Sequence, residues 1–187
     1  MFDAAIERFG RIDVVVSNAA FSVREPVLES KWENVLGTLE VTQFGVYHVC
    51  QAAAQHMVKQ EPNDLSRGKI VIISSVQAEV AAKECAAYNM SKAAINHFGR
   101  TLAVELIDHH INVNMITPGW IDTPGERAYY TEEELQEGGR LLPWGRLGTP
   151  RDIVRTVAFL ASDDADYITG STVRVDGGYV IARSTVD

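Results

Sequence analysis

Short runs of β-branched residues alternate along this chain with longer stretches in which apolar residues recur every three to four positions. The short runs are typical of strands buried on both faces, and the longer stretches are typical of helices with one apolar face. Four strands are expected, at Ile12–Val16, Lys69–Ser74, Ile111–Ile116 and Ser171–Val175. Because such strands separated by helices form a parallel sheet covered on both faces, the pattern predicts a three-layer α/β fold.

Helix-start signals delimit the helical stretches. Ser30 and Glu33 have the spacing of a capping box, which predicts a long helix from about Lys31 to Lys59. A second long helix is expected from Ala86 to Asp108, and the polar residues 60–68 are expected to form a loop. Two further helices are expected after threonine caps, at Thr131 with Glu134 and at Thr149 with Pro150 in the first helical position.

Composition and charge narrow the classes of function. Lys and Arg number 17 against 25 Asp and Glu, a formal net charge of −8, which disfavours a nucleic-acid-binding surface. No apolar stretch is long enough to span a membrane, and the N-terminus lacks the features of a secretory signal. Cys50 and Cys85 cannot make a disulfide framework, and no histidine cluster has metal-ligand spacing. A cytoplasmic protein without a metal site is therefore expected, with residues 1–187 forming a single domain.

The expected sheet also indicates where a ligand would bind. In parallel α/β sheets, ligands lie beyond the carboxyl ends of the strands. The segments in that position after the first three strands are Ser17–Ala20, Ser74–Ser75 and Pro118–Thr123. Near the start of the second long helix, Tyr88 and Lys92 are four residues apart, which places them on one helical face.

A neighbouring ammonium would make Tyr88 able to transfer a proton to or from an oxygen, and Ser75, which could meet the same helical face, would orient that oxygen through a hydrogen bond. A phenol has a pKa of about 10, and bringing it near 7 requires on the order of 4 kcal/mol. One cation at about 4 Å in an effective dielectric of about 20 supplies a similar amount. A helical Tyr–Lys pair is equally compatible with a packed ring and a solvated ammonium, so the spacing alone leaves both interpretations open.

Four motifs resemble those of the short-chain dehydrogenases/reductases and occur in the same order. Ser75 followed by Tyr88 and Lys92 is similar to the Ser…Tyr-x-x-x-Lys signature of that family. The other three are similar to its Asn-Asn-Ala-Gly turn, its Pro-Gly-x-Ile/Val-x-Thr segment and the end of its last strand, and they are Ser17–Ala20, Pro118–Thr123 and Asp176–Gly178.

The resemblance implies a Rossmann-type sheet and hydride transfer between NAD or NADP and a small alcohol, sugar or ketone. It implies that Tyr88 donates or accepts the proton, that Lys92 lowers the pKa of Tyr88 and holds the nicotinamide ribose, and that Ser75 binds the substrate oxygen. Residues 118–126 are similar to family members that act on sugars, such as glucose 1-dehydrogenases. The implied cofactor-binding residues are Asn18, Tyr88, Lys92, Pro118, Gly119, Ile121 and Thr123.

Residues 124–143 interrupt the alternation of strands and helices. The resemblance favours a substrate lid for this segment, although a solvated helical excursion has the same sequence pattern. Trp120 and Trp144 flank the expected mouth of the site. In this family the two long helices commonly form an interface, which implies a homo-oligomer, either a dimer or a tetramer, and no nucleic-acid or membrane partner.

The sequence departs from the family pattern at its front. The Gly-rich phosphate-binding turn, Thr-Gly-x-x-x-Gly-x-Gly, has no counterpart, and two βαβ repeats of about 30 residues each, the first strands of the family fold, are absent. The strand Ile12–Val16, normally central, is therefore expected to be an edge strand. Thr42 also stands where a catalytic Asn usually holds a water, and its hydroxyl is shorter than an amide.

Two explanations of the short front remain open. The sequence is either a fragment of a complete enzyme or a short product with weakened cofactor binding. In the second case the chain could be a catalytically impaired partner that assembles with a complete relative. A third interpretation keeps the fold without the redox step, as in lyase-like relatives, although Lys92 argues against it.

Overall fold

The structure, a computed structural model, describes residues 1–183 and contains a parallel sheet whose strands lie side by side in chain order. The parallel sheet expected from the apolar runs is thus confirmed. Residues 184–187, which belong to the expected single domain, lie outside the described range. The strands are β1 (Val14–Ser17), β2 (Gly68–Ile73), β3 (Ile111–Pro118) and β4 (Thr172–Val175).

Helices cover both faces of this sheet. The helices α3 (Gly45–Met57) and α4 (Ala86–Leu106) pack on one face and α6 (Pro150–Leu160) packs on the other, which gives the expected three layers. A π-helical segment, Glu40–Phe44, joins α2 to α3 without a break. In the described range the α-helices are α1 (Phe2–Phe9), α2 (Trp32–Leu39), α3 (Gly45–Met57), α4 (Ala86–Leu106), α5 (Glu132–Arg140), α6 (Pro150–Leu160) and α7 (Tyr179–Arg183).

Alternation along β2 divides the core into two clusters. Ile70 and Ile72 join the cluster formed with α3 and α4, whereas Val71 and Ile73 join the cluster formed with α6. All four side chains are at most 9% exposed. Because burying one such side chain contributes about 1.5–3 kcal/mol, these two clusters hold the helical layers on the sheet.

The strand β1 lies at the edge of the sheet, as expected from the sequence. Val14 and Val16 are 38% and 41% exposed, whereas Val15 packs against the core cluster on the other face. One face of β1 is therefore covered by the core, and the other face is open to solvent.

The expected capping box at Ser30 is wrong. The Ser30 hydroxyl donates to the carbonyl of Val27 at 3.1 Å instead of accepting from the helix, and Lys31 is the N-cap. The carboxylate of Glu25 accepts from the backbone N–H of this N-cap residue at 3.2 Å and from the side-chain amide of Asn34 at 3.1 Å. The other two helix starts are confirmed, with capping boxes formed by Thr131 and Glu134 and by Thr149 and Asp152.

Thr42 lies in the π-helical segment and is fully buried. Its hydroxyl donates to the carbonyl of Phe21 at 2.7 Å and accepts from the N–H of Phe21 at 2.8 Å. The hydroxyl therefore fastens the loop after β1 to the long helix, in a position where the family pattern has an amide.

Replacing Thr42 by valine should lower the free energy of unfolding by about 1–2 kcal/mol, because both backbone groups of Phe21 lose their partner. The matched control is Thr38→Val. Thr38 is also buried on this helix, but its hydroxyl bonds only to the carbonyl of Asn34 in the same turn. Urea unfolding of the two variants measures the difference, and an equal loss would contradict this role of Thr42.

Candidate active site

A cavity of about 1160 Å³ opens at the carboxyl ends of the strands. It lies between the segments that follow β1, β2 and β3 and the start of α4. The eight residues that the sequence singled out all line it: Asn18, Ser75, Tyr88, Lys92, Pro118, Gly119, Ile121 and Thr123. The structure therefore brings together side chains that lie up to 105 positions apart in the sequence.

Ser75 and Tyr88 meet at the floor of this cavity. Ser75 follows β2 and is 8% exposed, and its hydroxyl accepts from the N–H of Gln77 at 3.1 Å, which caps a short 3₁₀ turn. Tyr88 lies in the first turn of α4 and lines the same cavity, with its phenol near enough to Ser75 for that hydroxyl to lower the pKa of the phenol. Two hydroxyls are thus held side by side where a substrate oxygen could bind between them.

Lys92 lies one turn further along α4 and is only 1% exposed. Its ammonium donates to the carbonyl of Ile73 at 2.8 Å and lies 5.3 Å from the centroid of the Tyr88 ring. The carbonyl of Ile73, at the end of β2, therefore holds the ammonium of Lys92 in place. The ammonium lies over the face of the Tyr88 ring.

Burial dominates the pKa of both groups. Removal from water raises the pKa of Tyr88 to about 12, although the hydrogen bond with Ser75 lowers it, and it lowers the pKa of Lys92 to about 8. The pKa of Tyr88 is therefore raised and not lowered, contrary to the expectation from Lys92, because burial of the phenol outweighs the ammonium, which is bonded to Ile73 and not to the phenol oxygen. At pH 7 the phenol is neutral and the ammonium is charged.

The segment after β3 forms one wall of the cavity and is fixed by backbone contacts. The N–H of Gly119 donates to the carbonyl of Val175 at 3.0 Å. A Cβ on Gly119 would lie 2.7 Å from the Cα of Asp176, so only glycine fits between the two strand ends. Ile121 forms a parallel bridge with Gly148, which fixes the next turn of the wall.

Sequence reasoning did not assign Arg24, Glu126 and Tyr130 to the site, although all three line the cavity. Arg24 forms an ion pair with Glu126 at 3.1 Å and donates to the hydroxyl of Tyr130 at 2.9 Å. These partners are more than 100 positions apart, and no local spacing pattern could have identified them. Of the two tryptophans expected at the mouth, Trp120 lines the cavity, whereas Trp144 does not and is 70% exposed.

Within residues 1–183, no group of three or more His, Cys, Asp or Glu side chains could hold a metal ion. Over the same residues, no helix is both long enough and apolar enough to cross a membrane. Cys50 and Cys85 are both free thiols and buried.

Comparison with known proteins identifies the family. A family model described as enoyl-(acyl carrier protein) reductase matches residues 1–180. The 3beta-hydroxysteroid dehydrogenase 1 of Eggerthella lenta is 35% identical over 97% of this chain and 68% of that protein, and glucose 1-dehydrogenase 2 of Bacillus subtilis is 32% identical over 100% and 71%. The solved structure of ElxO with NADP bound is similar with a TM-score of 0.85 and 28% identity, covering 96% of this chain and 72% of that one. The chain belongs to the short-chain dehydrogenase/reductase family.

Replacing Lys92 by methionine should stabilise the protein at pH 7. Burial lowers the pKa of this ammonium from 10.5 to about 8, a difference that corresponds to a cost of about 3 kcal/mol. Because the unfolded chain binds the proton more tightly, the stability of the wild type should also rise between pH 8 and pH 10.5, and Lys92→Met should lack that rise.

Urea unfolding at pH 7 and pH 9.5 measures both effects. Lys59→Met is the control, because Lys59 is exposed at the end of the same helical layer and its replacement should change neither value. A Lys92→Met protein that is less stable than the wild type at pH 7 would contradict the cost of this buried charge.

Proposed function

We propose that this chain is an oxidoreductase that transfers a hydride between NAD or NADP and a small alcohol, sugar or ketone, with Ser75, Tyr88 and Lys92 as its catalytic residues. The observation that carries the proposal is the placement of the hydroxyls of Ser75 and Tyr88 in one cavity beside the buried ammonium of Lys92, at the carboxyl ends of a parallel sheet. The dehydrogenase names of its relatives support the same reaction class.

The lining residues fit the nicotinamide end of such a cofactor. Lys92 uses one of its three ammonium protons on Ile73, which leaves donors for ribose hydroxyls. Asn18 and Thr123 offer polar side chains after β1 and after β3, and Gly119, next to Pro118, has no side chain to limit the approach of a ligand. Ile121 adds an apolar contact beside them. When bound, the cofactor supplies or accepts the hydride.

The residues of the chain then handle the proton. With its pKa near 12, the phenol of Tyr88 is protonated at neutral pH, which is the state that donates to a carbonyl oxygen during reduction. The Ser75 hydroxyl orients that oxygen through a hydrogen bond. The charge of Lys92, near the ring of Tyr88, stabilises the phenolate that remains after the proton has left.

We further propose that residues 124–143 act as the lid over this site. The segment contains a short turn at Glu126–Ala128 and the helix α5, and it contributes Gly125, Glu126 and Tyr130 to the lining of the cavity. A sugar-like or steroid-like substrate is compatible with the relatives, one of which is named for glucose and another for a 3beta-hydroxysteroid.

The chain is also proposed to work as a homodimer or homotetramer in the cytoplasm. Large apolar side chains are exposed on α2, α3 and α4, among them Trp32 at 68%, Tyr47 at 46% and Val104 at 71%. Burying them against a second copy would remove apolar surface from water. The two free buried thiols are compatible with a reducing compartment.

Replacing Tyr88 by phenylalanine should reduce turnover about 10²–10⁴-fold, because the proton donor is lost while the ring still packs. The rate is measured as the absorbance change at 340 nm with NADH or NADPH and a panel of ketones and sugars. Tyr47→Phe, an exposed change on α3, is the control and should retain the rate of the wild type.

Calorimetric titration with NADH and NADPH separates this proposal from the impaired-partner alternative. The enzyme should bind at least one of them, and Tyr88→Phe should still bind it. If the wild-type chain binds neither cofactor, the role of a non-catalytic partner is favoured. Turnover that survives in Tyr88→Phe would refute the catalytic assignment of this residue.

The second-order rate constant for carbonyl reduction should fall as the pH rises through about 8. Lys92 loses its charge in that range, so the phenolate of Tyr88 loses its electrostatic stabilisation, whereas Tyr88 itself remains protonated until about pH 12. Rates from pH 6 to pH 10 measure the decline. A rate constant that stays level through pH 10 would contradict the role of the ammonium.

A further inference from the structure

The loop after β1, residues 18–26, is fastened at two points on one side of the cavity. Phe21 is held by the hydroxyl of Thr42, and the N–H of Glu25 donates to the carbonyl of Glu84 at 2.9 Å. Between these two points the side chain of Arg24 reaches the opposite wall, which is formed by the segment after β3. The two backbone anchors therefore fix the part of the loop from which the side chain of Arg24 extends across the cavity.

Arg24 uses most of its guanidinium for contacts with that wall. One terminal nitrogen donates to both oxygens of Glu126, at 3.1 and 3.2 Å, and the other donates to the hydroxyl of Tyr130 at 2.9 Å. Its central carbon lies 4.4 Å from the centroid of the Tyr129 ring. The side chains of Arg24 and Glu126 are only 24% and 26% exposed, so water screens this pair less than a surface pair.

Glu126 connects the pair to the aromatic wall. One of its oxygens accepts from the indole N–H of Trp120 at 2.9 Å, and Trp120 packs against Tyr130 with ring centroids 5.2 Å apart. The indole also rests on Gly138 of α5, where an added Cβ would come within 2.5 Å of the ring. The carboxylate is thus the point at which the cation, the indole and the lid segment meet.

The pair lines the same cavity as the phenol of the site, and the bond from Glu25 to Glu84 fastens the loop of Arg24 four residues before Tyr88. The charged and titratable groups that line this cavity with Tyr88 include Lys92 on its own helix, Lys83 and Cys85 just before that helix, and Arg24 and Glu126, with the hydroxyl of Ser75 after β2. After burial and the hydrogen bond with Ser75, the charge of Glu126 raises the pKa of Tyr88 and the charge of Arg24 lowers it. The two charges oppose one another at the phenol as long as both are present.

We infer that Arg24 and Glu126 are positioning residues for proton transfer at Tyr88. Their ion pair closes one side of the cavity, and it balances the charge beside the phenol. The inference rests on the proposed function, because it assigns a role to residues that surround its proton donor. It adds two residues from distant parts of the chain, neither of which belongs to the Ser-Tyr-Lys motif.

Breaking the pair from either side should move the proton affinity of Tyr88 in opposite directions. Glu126→Gln leaves the cation uncompensated, which stabilises the phenolate and shifts the titration of Tyr88 to lower pH. Arg24→Gln leaves the carboxylate uncompensated and shifts the titration to higher pH. A role limited to holding the lid in place would not give shifts of opposite sign.

The test uses the full chain without ligands, labelled with ¹³C at the Cζ of tyrosine. The resonance of Tyr88 is assigned by its loss in Tyr88→Phe, and its midpoint is followed by NMR as the pH rises. The pH profile of the second-order rate constant for carbonyl reduction is the second readout. The double variant Arg24→Gln with Glu126→Gln should return the midpoint close to that of the wild type.

Arg127→Gln is the matched control. Arg127 bonds to Asp122 and Glu132 on the exposed side of the same lid segment, so this variant also removes an arginine from two carboxylates but leaves Tyr88 unaffected. Shifts of Glu126→Gln and Arg24→Gln in opposite directions, with no shift in Arg127→Gln, support the inference. Shifts in the same direction, or none beyond that of the control, overturn it.

Two precautions keep the outcomes distinct. If one of the neutral variants does not fold, as judged by circular dichroism, Arg24→Lys and Glu126→Asp retain the charges and should leave the midpoint near that of the wild type, while the remaining neutral variant gives the sign. If no alcohol or carbonyl is turned over by the wild type, the proposed function fails, but the NMR midpoints still decide whether the pair acts on Tyr88.

Discussion

The hydrogen bond between the ammonium of Lys92 and the carbonyl of Ile73 is the contact on which the arrangement of the site depends. A charge that is 1% exposed is costly to bury, and this carbonyl at the end of β2 is the partner that the described residues provide for it. The bond is possible only because α4 packs directly on β2 and β3. The two-residue alternation of β2, which sends Ile72 to one cluster and Ile73 to the other, therefore fixes where the charge can lie. The same packing brings the first turn of α4, with Tyr88, against Ser75.

The architecture could be predicted from the sequence because strands and helices have strong local signals. The β-branched runs and threonine caps gave the sheet and two of the helix starts. The cap at Ser30 failed because Ser30 bonds back to the carbonyl of Val27 through both its hydroxyl and its N–H, so the helix begins after Lys31, whose N–H donates to Glu25 six positions earlier. Arg24 and Glu126 could not be paired at all, since 102 positions separate them and each alone resembles an ordinary surface charge.

The expectations about chemistry were less complete than those about structure, for a physical reason. A four-residue spacing fixes which helical face two side chains share, but it does not fix how much water surrounds them. Burial of Tyr88 and Lys92 comes from the whole fold, and it moves both pKa values in the direction of the neutral forms. The departure at Thr42 has a comparable explanation, because its hydroxyl is used on the backbone of Phe21 and so stabilises the loop that carries Arg24.

The contact between Gly119 and Asp176 links two turns that belong to different strands. Because the backbone of one rests on the backbone of the other, neither turn can change its length or path without displacing its neighbour. Insertions in the tail of the chain, after β4, are thereby constrained as tightly as substitutions in the ligand-facing turn after β3. Changes in the lining of the cavity are accordingly easier to accommodate in residues 124–143, the segment proposed as a lid, than in these two turns.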